Sequence, residues 1–276
     1  MKSFVILLIA ALVVITISCS DKGSGGGSSG FPTIPDDDDW AWPQSGINTV
    51  VQIYAYPDKD GYVEVYVVHF SENVPQSCVI KINNDTIATP DSSDWDHESW
   101  WIDSLHVYDS YEYWDEVYIS DDIDPGAALT YSVKINNTTD TGSLKIPYQV
   151  YGSFPDFDVE ENYHFTWNIQ QNPDLHYVFF YIDDDWEYVN KNWQLSGSTR
   201  DYTINKSIYQ DFAGDDYWVD VILYAMTYDR TGDFLAFTFT EDWYYNDYDG
   251  LKLDIEKRKL HRQRLLKALL HDLQDE

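Results

Sequence analysis

The sequence predicts an all-β protein of two tandem antiparallel sandwiches followed by a C-terminal helix. Three observations carry this reading. From Phe31 onward apolar residues recur with a period of two, the alternating runs are short and parted by turn formers about every 8 to 12 positions, and no helical spacing interrupts them before Leu251. The chain has 11 Trp, 23 Tyr and 12 Phe among 276 residues, far more aromatic surface than disordered chains carry. Its length beyond the leader suits two domains of about 100 residues each.

Residues 1–18 read as an export signal, with Lys2 as the positive start, an apolar core from Phe4 to Ile17 and the small Ser18 at the cut. The core is too short to span a bilayer, which takes roughly 20 apolar residues. The residues "TISC", Thr16 to Cys19, resemble a bacterial lipobox, although Thr16 stands where Leu is usual. That resemblance implies cleavage before Cys19 and thioether-linked lipid on its sulfur, with an ordinary secretory cut nearby as the alternative. Residues 19–43 contain the Gly/Ser tract "GSGGGSSG", Gly23 to Gly30, and read as a flexible tether.

Residues 44–147 form the first expected sandwich. "LTYSVKI" puts Leu129, Tyr131, Val133 and Ile135 on one strand face and Thr130, Ser132 and Lys134 on the other. "PDKDG" at Pro57 to Gly61 and "KINNDTI" around Asn83 and Asn84 read as hairpin turns. With Cys19 lipidated, Cys78 has no partner within the chain and reads as a small buried hydrophobe in a strand. The junction falls within Leu144 to Pro155, which has no glycine-rich linker.

Residues 148–249 form the second sandwich. "YHFTWNI" alternates Tyr163, Phe165, Trp167 and Ile169 against polar residues, and "DDYWVDVILYA" alternates Tyr217, Val219, Val221, Leu223 and Ala225. Together with the final run Phe234 to Phe239, this stretch resembles a fibronectin type III or related immunoglobulin-like module. The resemblance implies that Trp167 is the core tryptophan of the second strand. In the first sandwich, "DPGAALTYSV" resembles the proline-glycine corner of such modules, with Leu129 where the family has tyrosine and Tyr131 two residues later. These features specify packing and not a ligand.

The formal net charge of −31 excludes nucleic acid as the default partner, because phosphates are repelled. No catalytic motif survives inspection. "GGSSG" at Gly26 to Gly30 fits Gly-x-Ser-x-Gly but lies in the tether rather than on a strand-to-helix elbow. His97 and His106 lack the spacing of a zinc motif, and the paired acids fall in turns, where carboxylates are solvated and ionised. Acid-rich turns suit calcium, which takes six to eight oxygens, and Asp183, Asp184 and Asp185 are the candidate ligands. Aromatics invite sugars, and Trp95, Trp100 and Trp101 of "WDHESWW", in an expected loop, are the candidate ligand-binding residues, as "EDWYYNDYDG" around Trp243 is a further polar-aromatic loop.

Residues 250–276 are free of Gly and Pro after Gly250 and place Leu265, Leu266, Leu269, Leu270 and Leu273 on one helical face. Lys257, Arg258, Lys259, Arg262, Arg264 and Lys267 make this helix basic beside an acidic body. It has three open uses, docking on its own acidic body, self-association or lying on an anionic membrane, and the default is a surface helix with few contacts. The whole implies a lipid-anchored cell-envelope protein, at the outer membrane or cell surface, that binds, adheres or scaffolds without catalysis and needs no cofactor beyond the calcium considered above. The alternative is an accessory protein that binds or processes carbohydrate, so the ligand is a protein or a glycan.

Overall fold

The computed structural model describes residues 47–55, 61–103, 106–119, 123–183, 188–212, 217–246 and 265–266, with the backbone alone for 99–103, 106–108 and 246. The expected signal, the expected tether and Cys19 lie outside the described residues.

The first eight strands are β1 (Thr49–Ala55), β2 (Tyr62–Phe70), β3 (Cys78–Ile82), β4 (Asp85–Ala88), β5 (Asp96–Asp103), β6 (His106–Tyr118), β7 (Ala128–Ile135) and β8 (Thr138–Lys145). They form two sets, β1-β2-β6-β5 and β4-β3-β7-β8. In sequence lettering this is the A-B-E-D sheet facing C′-C-F-G, the strand order of an immunoglobulin-like sandwich. Local chemistry fixes the hairpins. Asn83 and Asn84 both adopt positive φ (49° and 72°) between β3 and β4, as a two-residue type I′ turn requires, and asparagine tolerates that region.

The second set is β9 (Tyr151–Ser153), β10 (Tyr163–Asn168), β11 (Leu175–Asp183), β12 (Tyr188–Ser196), β13 (Asp201–Ile204), β14 (Trp218–Thr231) and β15 (Phe234–Asn246). The order β13-β10-β9 faces β12-β11-β14-β15, a seven-stranded, fibronectin III-like relative of the first sandwich. Trp167 sits on β10, the second strand of this set, and is 2% exposed. Tyr163 and Phe165 are buried beside it on the same face, with polar residues between them exposed. β7 alternates in the same way, with Leu129, Tyr131, Val133 and Ile135 buried.

The sandwiches share one sheet. β15 runs parallel to β1, from Thr49↔Phe234 to Ile53↔Thr238, which joins the two four-stranded halves into an eight-stranded sheet, β12-β11-β14-β15-β1-β2-β6-β5. The long β14–β15 hairpin makes this join. Its tip carries Phe234 and Ala236 into the core of the first sandwich, beside Val51, Val65 and Tyr131. The rings of Tyr131 and Phe234 stack with centroids 5.6 Å apart.

Side chains reinforce the join. Asp229 Oδ2 accepts from the Tyr131 hydroxyl at 3.0 Å and the Ser143 amide at 3.2 Å. Thr240 Oγ1 donates to the Tyr148 carbonyl at 2.9 Å, and Gln149 Nε2 to the Glu241 carbonyl at 2.7 Å. Gly142 is required here, since a Cβ at that position would come within 2.1 Å of Asp229 Oδ2 and 2.2 Å of the Tyr131 hydroxyl.

Each sandwich has its own core, and a third apolar cluster covers the opposite, outer face of the eight-stranded sheet. This corrects the expectation of half-buried strands nearly everywhere: β1 and β11 are buried on both faces, as strands covered on both sides are. Leu265 and Leu266, the described residues of the C-terminal segment, are helical, 0% and 4% exposed, and packed into the outer cluster. They are not the residues of a surface helix with few contacts. The rest of the expected helix lies outside the described residues.

Cys78 opens β3 in the first core as a free thiol, 2% exposed, and burial pushes its pKa up to about 12. It is the small buried hydrophobe that its sequence setting implied.

Candidate functional site

The expected site residues are not held together. Trp95 precedes β5 and is 7% exposed, packed in the first core with its ring 5.9 Å from that of Tyr113. Trp100 and Trp101 lie on β5, opposite Tyr108 and Val107 of β6. "WDHESWW" is therefore largely edge strand rather than loop, and the side chains of Trp100 and Trp101 lie outside the described residues. The stretch around Trp243 is likewise strand, since β15 runs to Asn246. Both stretches mix polar and aromatic residues, and aromatic side chains on strands take part in cross-strand pairs.

Asp183 ends β11 and accepts a hydrogen bond from the Tyr181 hydroxyl, while Asp184 and Asp185 lie outside the described residues. His97 pairs with Asp109 across β5 and β6 at 3.0 Å. Among the described residues no group of three or more His, Cys, Asp or Glu is placed to hold a metal ion.

What the structure does assemble is an aromatic row at the margin of the outer face. Strand alternation brings Tyr188 of β12, Tyr181 of β11 and Trp218 of β14 to that face. Tyr181 lies 6.1 Å from Tyr188 and 6.5 Å from Trp218, with planes inclined by 23° and 26°. Tyr188 is 61% exposed, and Trp243, on the same face of β15, is 40% exposed. Sequence reasoning missed this row because Trp218 lies 30 or more positions from the two tyrosines and the three meet only through the pairing of three strands.

The same face also encloses polar side chains. Glu64, Ser110, Glu112 and Asp220 are all buried, and Tyr66 donates its hydroxyl proton to Glu112 Oε2 at 2.5 Å. Gln52 is 0% exposed, and neither of its amide atoms has a hydrogen-bond partner among the described residues.

A second enclosed polar group, His176, lies between the large sheet and β10. Trp167 Nε1 donates to His176 Nε2 at 3.3 Å, and His176 Nδ1 lies 3.2 Å from the Tyr224 carbonyl. A carbonyl only accepts, so the imidazole proton sits on Nδ1 and Nε2 is the acceptor. Burial, with the Arg200 charge acting in the same direction, lowers its pKa from 6.5 to about 4. The unfolded chain therefore takes up this proton first as pH falls. The associated stability is whole above pH 6.5, is lost between pH 6.5 and about 4, and falls no further below. In His176→Gln, which keeps a donor and an acceptor, that loss should shrink by the order of 3 kcal/mol. Urea unfolding of both proteins across the window checks this, and parallel pH profiles would contradict it.

The strand order defines the class of protein: two immunoglobulin-like sandwiches of the fibronectin III kind, fused through one sheet. No protein-family model and no curated protein matches the chain. Among solved structures it is similar to a two-domain fibronectin type III segment of chicken tenascin, at 10% identity over 71% of this chain and 97% of that one, with a TM-score of 0.24. It is also similar to the RrgB pilus backbone of Streptococcus pneumoniae, at 9% identity over 70% of this chain and 56% of that one, with a TM-score of 0.15. The assignment of the fold rests on the strand order and not on these likenesses.

Proposed function

We propose that the protein is a lipid-anchored protein of the cell envelope that acts as a non-catalytic binding, adhesion or scaffolding module. The observation that carries this reading is the continuous eight-stranded sheet. It fuses two sandwiches filled by their own side chains, so the loops and edges of both are presented at a fixed spacing, as a scaffold or adhesin requires. Ligands of such a body meet loops, edges or sheet faces rather than an enclosed cleft. Anchoring enters through Cys19 and its lipobox-like setting, which makes the membrane one partner and a protein or glycan the other.

Cys19→Ala tests the anchor, because the thioether needs that sulfur. The variant should leave the membrane fraction or retain its signal, and the wild-type N-terminal peptide should carry the mass of the lipid. Unchanged fractionation and mass would remove the anchor from this account. Turnover of a substrate, abolished by changing one acid while binding persists, would overturn the non-catalytic reading.

A second reading, carbohydrate binding, is favoured by the row of Tyr188, Tyr181 and Trp218 with Trp243 nearby. Flat rings on a sheet face suit the apolar faces of sugar rings. A glycan array probed with the soluble body separates this reading from protein adhesion.

A further inference from the structure

The outer face of the large sheet buries acidic and apolar side chains together. It is apolar at Val50, Tyr66, Tyr224 and Phe237, yet it buries the acids Glu64, Glu112 and Asp220, at 1%, 5% and 5% exposure. Buried carboxylates are costly unless paired or hydrogen-bonded. Gln52 lies on this face by alternation with Val50 and Tyr54, fully enclosed and with both amide atoms unpartnered among the described residues. Such a face needs a cover that is apolar in part and supplies donors.

We infer that the basic C-terminal segment, residues 257–267, is the resident cover of this face, seated by Leu265 and Leu266 and held by pairing of its lysines and arginines with Glu64, Glu112 and Asp220. The seat is direct, since Leu265 and Leu266 belong to the same buried cluster as Val50 and Phe237. Charge complementarity supplies the rest: Lys257, Arg258, Lys259, Arg262, Arg264 and Lys267 surround that seat in sequence, whereas the body is acidic. Arg262 stands three and four residues before the two leucines, the spacing that puts side chains on one side of a helix.

The reach suffices. β15 ends at Asn246 in the fourth strand from the β12 edge, and strands lie about 4.8 Å apart. The 18 residues from 247 to 264 span about 27 Å as a helix and more if extended. Of the three uses open to a basic leucine-rich segment, docking on its own chain is the one that the burial of Leu265 and Leu266 favours. This seating is independent of the proposed anchoring and adhesion, and it leaves ligand contacts to exposed side chains such as Tyr188 and Trp243 and to the sheet edges.

Trypsin tests it, because the segment is dense in Lys and Arg. In the full chain, cleavage between Lys257 and Lys267 should be at least about ten-fold slower than in a free peptide of residues 251–276, since proteolysis follows the open population. Leu265→Asp with Leu266→Asp should remove that protection while far-UV circular dichroism stays that of a β protein. Cleavage of the wild type as fast as the peptide would overturn the seating.

The second arm leaves every tryptic site intact. Glu64→Gln, Glu112→Gln and Asp220→Asn, combined and singly so that one folded variant is available, should each speed cleavage, and unchanged rates would overturn the charge pairing. Light scattering and vesicle flotation complete the test. The soluble body, residues 31–276 and so without the lipid site, should be a monomer that does not float with phosphatidylglycerol vesicles. Protection found only in a dimer, or flotation with the segment exposed to trypsin, would overturn docking on its own chain.

Discussion

Trp167→Ala is expected to destabilise the protein by about 3 to 5 kcal/mol, the range for deleting a large buried aromatic side chain. Two losses combine. The ring lies against Phe165, with centroids 5.7 Å apart, and edge-on to His176 at 5.3 Å, so its removal leaves a cavity in the second core. It also deprives His176 Nε2 of the indole donor. Trp167→Phe should cost less, because it keeps most of the ring and loses mainly the hydrogen bond. Denaturant midpoints at constant slope read the difference. A change below about 1 kcal/mol for the alanine variant would mean that the register of β10 is wrong.

Phe234→Ala is expected to cost a similar 3 to 5 kcal/mol, as large-to-small changes in cores do, but the location of the loss is the telling part. Phe234 begins β15, a strand of the second sandwich, yet it is 1% exposed within the core of the first. Its removal should weaken the seam between β15 and β1 and lower the stability of both sandwiches together. The midpoint should fall alike for a probe in β3 or β7 and a probe in β10 or β13. A shift confined to one sandwich would contradict a shared fold.

Much of the architecture was legible from local pattern. Alternation at Leu129, Tyr131, Val133 and Ile135, and again at Tyr163, Phe165 and Trp167, reports which face of a strand is buried, because that property has a period of two in the chain itself. Asn83 and Asn84 announced a turn because few residues other than glycine and asparagine tolerate positive φ. The parallel seam was not legible. Thr49 and Phe234 are 185 positions apart, and nothing local in "TVVQI" or "FLAFT" selects its partner. Their burial on both faces was not anticipated either, because the period-two pattern was read as half-buried strand and the element on the second face is set by the fold.

The site was the least legible part. Trp95, Trp100 and Trp101 stood out because they cluster in sequence, and polar neighbours made their segment look like a loop. In the fold Trp95 fills a core and the other two belong to an edge strand. The aromatic row of Tyr188, Tyr181 and Trp218 has the opposite character, being dispersed in sequence and assembled by strand pairing. The buried acids Glu64, Glu112 and Asp220 were hidden among many solvated ones, since a carboxylate's burial depends on the cover over its sheet face. Cys19, in contrast, was conspicuous because a processing signal is read in extended chain and needs no fold.

The central claim is that the eight-stranded sheet makes two sandwiches into one body, and hydrogen exchange by mass spectrometry along a urea titration tests it most directly. Peptides covering β3 and β7 report the first sandwich, and peptides covering β10 and β13 the second. The account predicts that both sets lose protection at one midpoint with one slope, the slope being that of the whole body because it scales with the surface exposed. Full exchange in one set at a urea concentration where the other remains protected would contradict it.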